Sequence, residues 1–196
     1  MTIRAQENQG LQYAIINSRP LCTMEKVMLC HAEIKPVDKV LDVHACSGQL
    51  SEYLLKNTSC QLCGVSDRME EVRLVRSRYC GGDIAYAAIG DIPWPDSTFD
   101  VALLHPSEGG IEALEEQLRE CRRVLRPDGR LVLGLKHLPM ALRYINYILG
   151  NATEDDLPAV PEAKQIMKKI GFERITAVQA SLSSYVLMGW RTNETR

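Results

Sequence analysis

Apolar positions along the chain follow two patterns that take turns. Short apolar runs at 39–43, 61–66, 84–89, 99–104 and 130–135 predict buried strands, and stretches with helical spacing lie between them. Met24, Val27, Met28 and Ala32 recur within 21–34 and predict an amphipathic helix, which Lys35-Pro36 stops. A helix follows Gly48 through Leu50, Tyr53 and Leu54. Another carries Met69, Val72, Val75 and Tyr79 and closes at Gly81-Gly82. The longest, 111–125, turns Leu114, Leu118, Cys121, Val124 and Leu125 inward, and Pro127-Asp128-Gly129 predicts the turn into the fifth strand. Strand and helix alternating at these intervals predict parallel strands joined by right-handed crossovers.

The last third is less regular. Residues 140–149 read as a helix, 151–161 as an acidic loop with prolines, and 162–170 as a helix closed by Gly171. The final β-runs, 174–180 and 184–190, are too close for a parallel crossover and must pair antiparallel. With no repeat and no composition break, a single domain over 1–196 is expected, with residues 1–20 as an N-terminal arm. The segment 136–161 follows the fifth strand and is expected to cap the carboxyl edge of the sheet.

Composition narrows the function only a little. A formal net charge of −2 over 196 residues offers no electrostatic footprint for nucleic acid or an anionic membrane. The first residues hold no long apolar stretch, and nowhere do 18 apolar residues run together, so a cytoplasmic protein is expected. Seven cysteines without framework spacing fit a reducing compartment. Cys60 and Cys63 match C-x-x-C. On a strand, however, residues three apart face opposite sides, so packed thiols are expected rather than a metal or redox site.

The stretch with most chemistry is 40–50, VLDVHACSGQL. A buried strand (Val40, Leu41, Val43) breaks over 42–47 and opens a helix at Gly48, whose unpaired N–H groups and positive dipole end face a ligand edge. This stretch resembles motif I of the class I S-adenosylmethionine-dependent methyltransferases, LDVGCGTG, of which Leu41, Asp42, Val43 and Gly48 survive while His44, Ala45, Cys46 and Ser47 depart. Three further segments resemble the family in the right order: 90–104 its acidic loop and fourth strand, 119–134 its turn into the fifth strand, and 166–175 the "GF" before the sixth. The likeness is to the small UbiE-like, type 11 domain. It implies a three-layer α/β, Rossmann-like doubly wound sheet of seven strands, mostly parallel, with one antiparallel strand near the C-terminus.

The resemblance also implies roles. Asp42 receives the ammonium of the cofactor, S-adenosylmethionine, while His44 and Gly48 line the methionine part, His44 adding an imidazole where the family leaves room. At the end of the second strand the family has an acid that accepts both ribose hydroxyls. Ser66 stands there, and Ser66→Asp would be expected to restore the contact. Asp67 beside it either reaches the ribose or caps the next helix. Asp91 either reaches the adenine amino group or serves as a plain turn residue, and the Ile92 N–H would meet a ring nitrogen. His105 ends the fourth strand, as a cofactor or substrate contact or as a loop histidine. Tyr144 and Tyr147, three apart on one helical face, line a substrate mouth or pack.

The reading is a methyltransferase acting on a small-molecule acceptor, with no catalytic residue assigned and no metal. Nucleic acid and membrane are not expected as partners, and a homodimer is open. Two altered contacts to one ligand leave an alternative, a methyltransferase-like binding or scaffold module without turnover. A nicotinamide enzyme fits less well, because no G-x-G-x-x-G is present.

Overall fold

The computed structural model of the protein describes residues 21–43, 49–78, 83–106, 110–136 and 158–192. In chain order the elements are α1 (Thr23–Ala32), β1 (Lys39–Val43), α2 (Gln49–Asn57), β2 (Gln61–Ser66), α3 (Met69–Arg78) and β3 (Asp83–Tyr86). There follow β4 (Phe99–Leu104), α4 (Gly110–Val124), β5 (Leu125–Lys136), α5 (Val160–Ile170), β6 (Phe172–Ser181) and β7 (Ser184–Arg191). The seven strands form one sheet in the order β3-β2-β1-β4-β5-β7-β6. β1, β2, β3, β4 and β5 pair in parallel, and β7 runs antiparallel to both β5 and β6. The strand at 39–43 is interior, as expected of a doubly wound α/β sheet.

Both faces of the sheet are covered, which is why the inner strands read as near-continuous apolar runs. On one face Met24, Met28 and Leu29 of α1 and Leu50, Tyr53 and Leu54 of α2 pack on Val40, Leu62, Val101, Leu103 and Val132. On the other, Leu114, Leu118 and Cys121 of α4 and Ala163, Ile166 and Met167 of α5 pack on Leu41, Val43, Val65, Ala102, Leu131 and Leu133. Cys63 belongs to this second cluster, while Cys60 packs against the first, so the two thiols serve opposite faces.

Local chemistry sets the ends of the helices. At the start of α1, Cys22 Sγ accepts from the Glu25 N–H (3.5 Å) and Glu25 accepts from the Cys22 N–H (2.7 Å), a capping box with a thiol in the usual hydroxyl place. At its other end Glu33 adopts φ 47°. Arg130 satisfies the last carbonyls there, donating to Ala32 O and to Glu33 O (2.7 Å) while pairing with Asp38 (2.8 Å). Gly171 closes α5 at φ 99°.

Two strands, β3 and β5, differ most from the sequence expectation. The run 84–89 pairs only as far as Tyr86, because its partner β2 ends at Ser66. Ala87 still donates to Ser66 O, after which the chain turns and Ile89 and Ile92 enter the core as plugs. Pairing of β5 starts five residues early, at Leu125. Its register then shifts across the 127–129 turn, where Asp128 has φ 61°. The expected arm 1–20, most of the cap segment 136–161 and the tyrosines at 144 and 147 lie outside the described residues. No helix among the described residues is long and apolar enough to cross a membrane.

Candidate functional site

The parallel strands β2, β1 and β4 end side by side, with Val43 opposite Val65 and Leu104. Alternation along β1 sends Asp42 to the same face as Val40, the face that α1 and α2 cover. A carboxylate is thereby placed inside an apolar layer, 1% exposed. Its Oδ2 accepts a hydrogen bond from Ser51 Oγ in the first turn of α2 at 2.6 Å. Burial pushes the Asp42 carboxyl up to about 6. The Ser51 hydrogen bond opposes this, and the nearby carboxylate of Glu25, itself buried at the start of α1, adds to it.

Ser66 falls on the same face at the end of β2 and is also buried. Its hydroxyl donates to Glu71 Oε2 (2.8 Å) and accepts from the Arg68 N–H (3.1 Å), so it is occupied within the turn into α3. Asp67 is exposed at that turn. His105, just beyond β4, donates its backbone N–H to Val43 O (3.3 Å), and its Nε2 lies 2.8 Å from Met28 Sδ of α1. Asp42, Ser66 and His105 therefore stand at the ends of three adjacent strands.

In this structure the Ile92 N–H has a partner within the protein. Expected at a cofactor ring nitrogen, it is donated to Glu120 Oε2 on α4 at 2.9 Å, and the residue is buried. Arg123 locks this arrangement by bonding Glu120 (2.8 Å), Ile92 O (2.8 Å), Trp94 O (2.9 Å) and Asp96 (2.8 Å). The 92–96 loop is thus tied to α4. Asp91 just before it is exposed in a bend, its N–H given to Ala88 O. His44 and Gly48 lie outside the described residues.

Ser51, Glu25 and Glu71 escaped the sequence reading. Ser51 and Glu71 each sit in the first turn of a helix that follows a pocket strand, a place from which a side chain can reach back over the strand end. Glu25 had no such signal, because only the packing of α1 on the sheet brings it near Asp42. Among the described residues no group of His, Cys, Asp and Glu is arranged to hold a metal ion.

Residues 41–133 match a family model described as a methyltransferase domain. The ubiquinone/menaquinone biosynthesis C-methyltransferase of Cereibacter sphaeroides is 34% identical over 115 residues, covering 54% of this chain and 45% of that protein. The sarcosine/dimethylglycine N-methyltransferase of Halorhodospira halochloris is 26% identical over 164 residues, covering 79% of this chain and 58% of its own length. The chain thus spans about half the length of the curated relatives it matches. Among solved structures, a chain of the complex between the Haloferax volcanii Trm112 methyltransferase activator and a methyltransferase superposes with TM-score 0.76. That match runs at 12% identity over 89% of this chain and 90% of that one, which shows the fold alone. Over residues 41–133 the chain is similar to methyltransferase domains, and together with the relatives named this supports a class I S-adenosylmethionine-dependent methyltransferase with S-adenosylmethionine as the implied cofactor.

Proposed function

We propose that the chain transfers a methyl group to a small-molecule acceptor, with its cofactor held across the carboxyl ends of β1, β2 and β4. The observation that carries this reading is Asp42. A carboxylate buried at a strand end, whose hydrogen-bond partner among the described residues is one hydroxyl, calls for a cation or a proton. The cofactor's ammonium is such a cation, so the residues present fit it. The relatives named for sarcosine and dimethylglycine, and for ubiquinone and menaquinone, support a small acceptor.

When bound, S-adenosylmethionine supplies an activated methyl on a sulfonium. The protein's own contribution is orientation and exclusion of water. Asp42 anchors the amino-acid end, with Ser51 fixing the carboxylate's orientation. His44 and Gly48, from the matching motif, belong beside it, and Asp91 beside the adenine. His105, held by Met28 and by the end of β1, stands where β4 stops, and we assign it to the acceptor side of the cofactor. No observation among the described residues favours a binding module without turnover.

Calorimetric titration with S-adenosylmethionine and S-adenosylhomocysteine tests the reading. Both are expected to bind wild type, and Asp42→Asn to weaken both by about tenfold or more, the effect of losing one hydrogen bond to a charged group. Absence of binding by wild type at millimolar cofactor would overturn it.

A further inference from the structure

The family's ribose acid is missing at Ser66, but a carboxylate is present a short distance away. Glu71 projects from the first turn of α3 back toward the end of β2, and its side chain is only 15% exposed. The Ser66 hydroxyl donates to Oε2 at 2.8 Å and so fixes the carboxylate against the strand end. Among the described residues the other oxygen, Oε1, meets only the loose guanidinium of Arg68 at 3.6 Å. We infer that Glu71, held by Ser66, is the acceptor for the vicinal hydroxyls of the cofactor ribose, a task moved from the strand to the following helix. The inference rests on the cofactor reading above.

The chemistry supports the assignment. Two adjacent hydroxyls are two donors, and one carboxylate can accept both, one on each oxygen. Oε2 keeps a second lone pair after the Ser66 bond, and among the described residues Oε1 makes no bond of normal length. Ser66 itself cannot do this work. Its one proton goes to Glu71 and it already accepts from Arg68, whereas Asp67 is exposed beyond the last paired residue of β2. The placement also reverses the expectation for Ser66→Asp. A carboxylate at position 66 would face Glu71 across hydrogen-bond distance, so two like charges would compete for one site. That substitution should weaken binding rather than restore it.

Calorimetry with two probes, S-adenosylhomocysteine and its dideoxyribose analogue, tests the inference. Wild type should prefer the diol. Glu71→Gln should bind S-adenosylhomocysteine about tenfold more weakly, while its affinity for the dideoxy analogue stays near the wild-type value. Ser66→Ala, which removes the brace and leaves the carboxylate, should lose a smaller part of the same preference. Thermal unfolding measured alongside separates a loosened α3 from a lost contact, because a cap defect lowers affinity for both probes alike. Equal loss on both probes, unchanged affinity in Glu71→Gln, or transfer of the effect to Asp67→Asn would overturn the assignment while leaving the cofactor reading in place. If wild type binds neither probe, both fall together.

Discussion

Asp42 offers the sharpest test, because its burial couples folding, pH and ligand binding through one group. In the folded chain its carboxyl is raised from the ordinary 3.8 to about 6, burial being the main cause. The sign follows from proton counting. Between pH 3.8 and about 6 the unfolded chain has released this proton while the folded chain retains it, so stability falls as pH rises through that window. The full step corresponds to about 3 kcal/mol, roughly half of which is lost between pH 5 and 7. Asp42→Asn has no proton to release, so its urea-derived stability should lack this slope. At pH 7 the variant should be more stable than wild type by about 1–2 kcal/mol, after allowing for a poorer bond to Ser51. Subtracting the two pH profiles removes every other group that titrates in the range. The ligand should show the opposite trend. Ionised Asp42 is the form that receives an ammonium, so wild-type affinity should rise with pH through about 6 and the variant's should not. A variant with the same pH slope as wild type, or one that unfolds more easily at pH 7, would refute the reasoning.

Other substitutions probe the frame around the site. At Gly129 an added Cβ would lie 2.7 Å from Arg126 O and 3.2 Å from Phe99 O, both backbone atoms. At Gly134 it would meet the flexible ends of Met28 and Met24 at 2.7 and 3.1 Å. Gly129→Ala should therefore cost about 2–3 kcal/mol and Gly134→Ala about 1 kcal/mol, and denaturant midpoints in the reverse order would contradict this. Arg130→Met strands the Asp38 carboxylate and the last carbonyls of α1. A loss of about 3 kcal/mol is expected, and adding Asp38→Asn should recover part of it. Tyr53 buries a hydroxyl with no hydrogen-bond partner among the described residues, so Tyr53→Phe should leave stability unchanged or raise it by up to about 1 kcal/mol; a clear loss in thermal unfolding would reveal a partner for that hydroxyl.

Chain order and apolar periodicity determined most of the fold. The runs at 39–43, 61–66 and 99–104 became strands with those same bounds, because strands buried on both faces are predominantly apolar and such short runs fit best inside a covered sheet. The short gap before the last strand likewise left only an antiparallel pairing. The resemblance marked Asp42 and Ser66 as site positions, and the structure sets both at strand ends on one face. Tertiary structure decided the rest. Where β3 stops depends on where its neighbour β2 stops, a fact that its own apolar run to Ile89 does not contain. The fate of the Ile92 N–H depends on Glu120, 28 residues away on α4. The ionisation of Asp42 depends on Ser51 and on Glu25, which approaches only because α1 packs across the sheet. Periodicity records which side of an element is buried. It holds no record of which polar groups are buried together, and that pairing sets hydrogen bonds, charge and chemistry at the carboxyl edge.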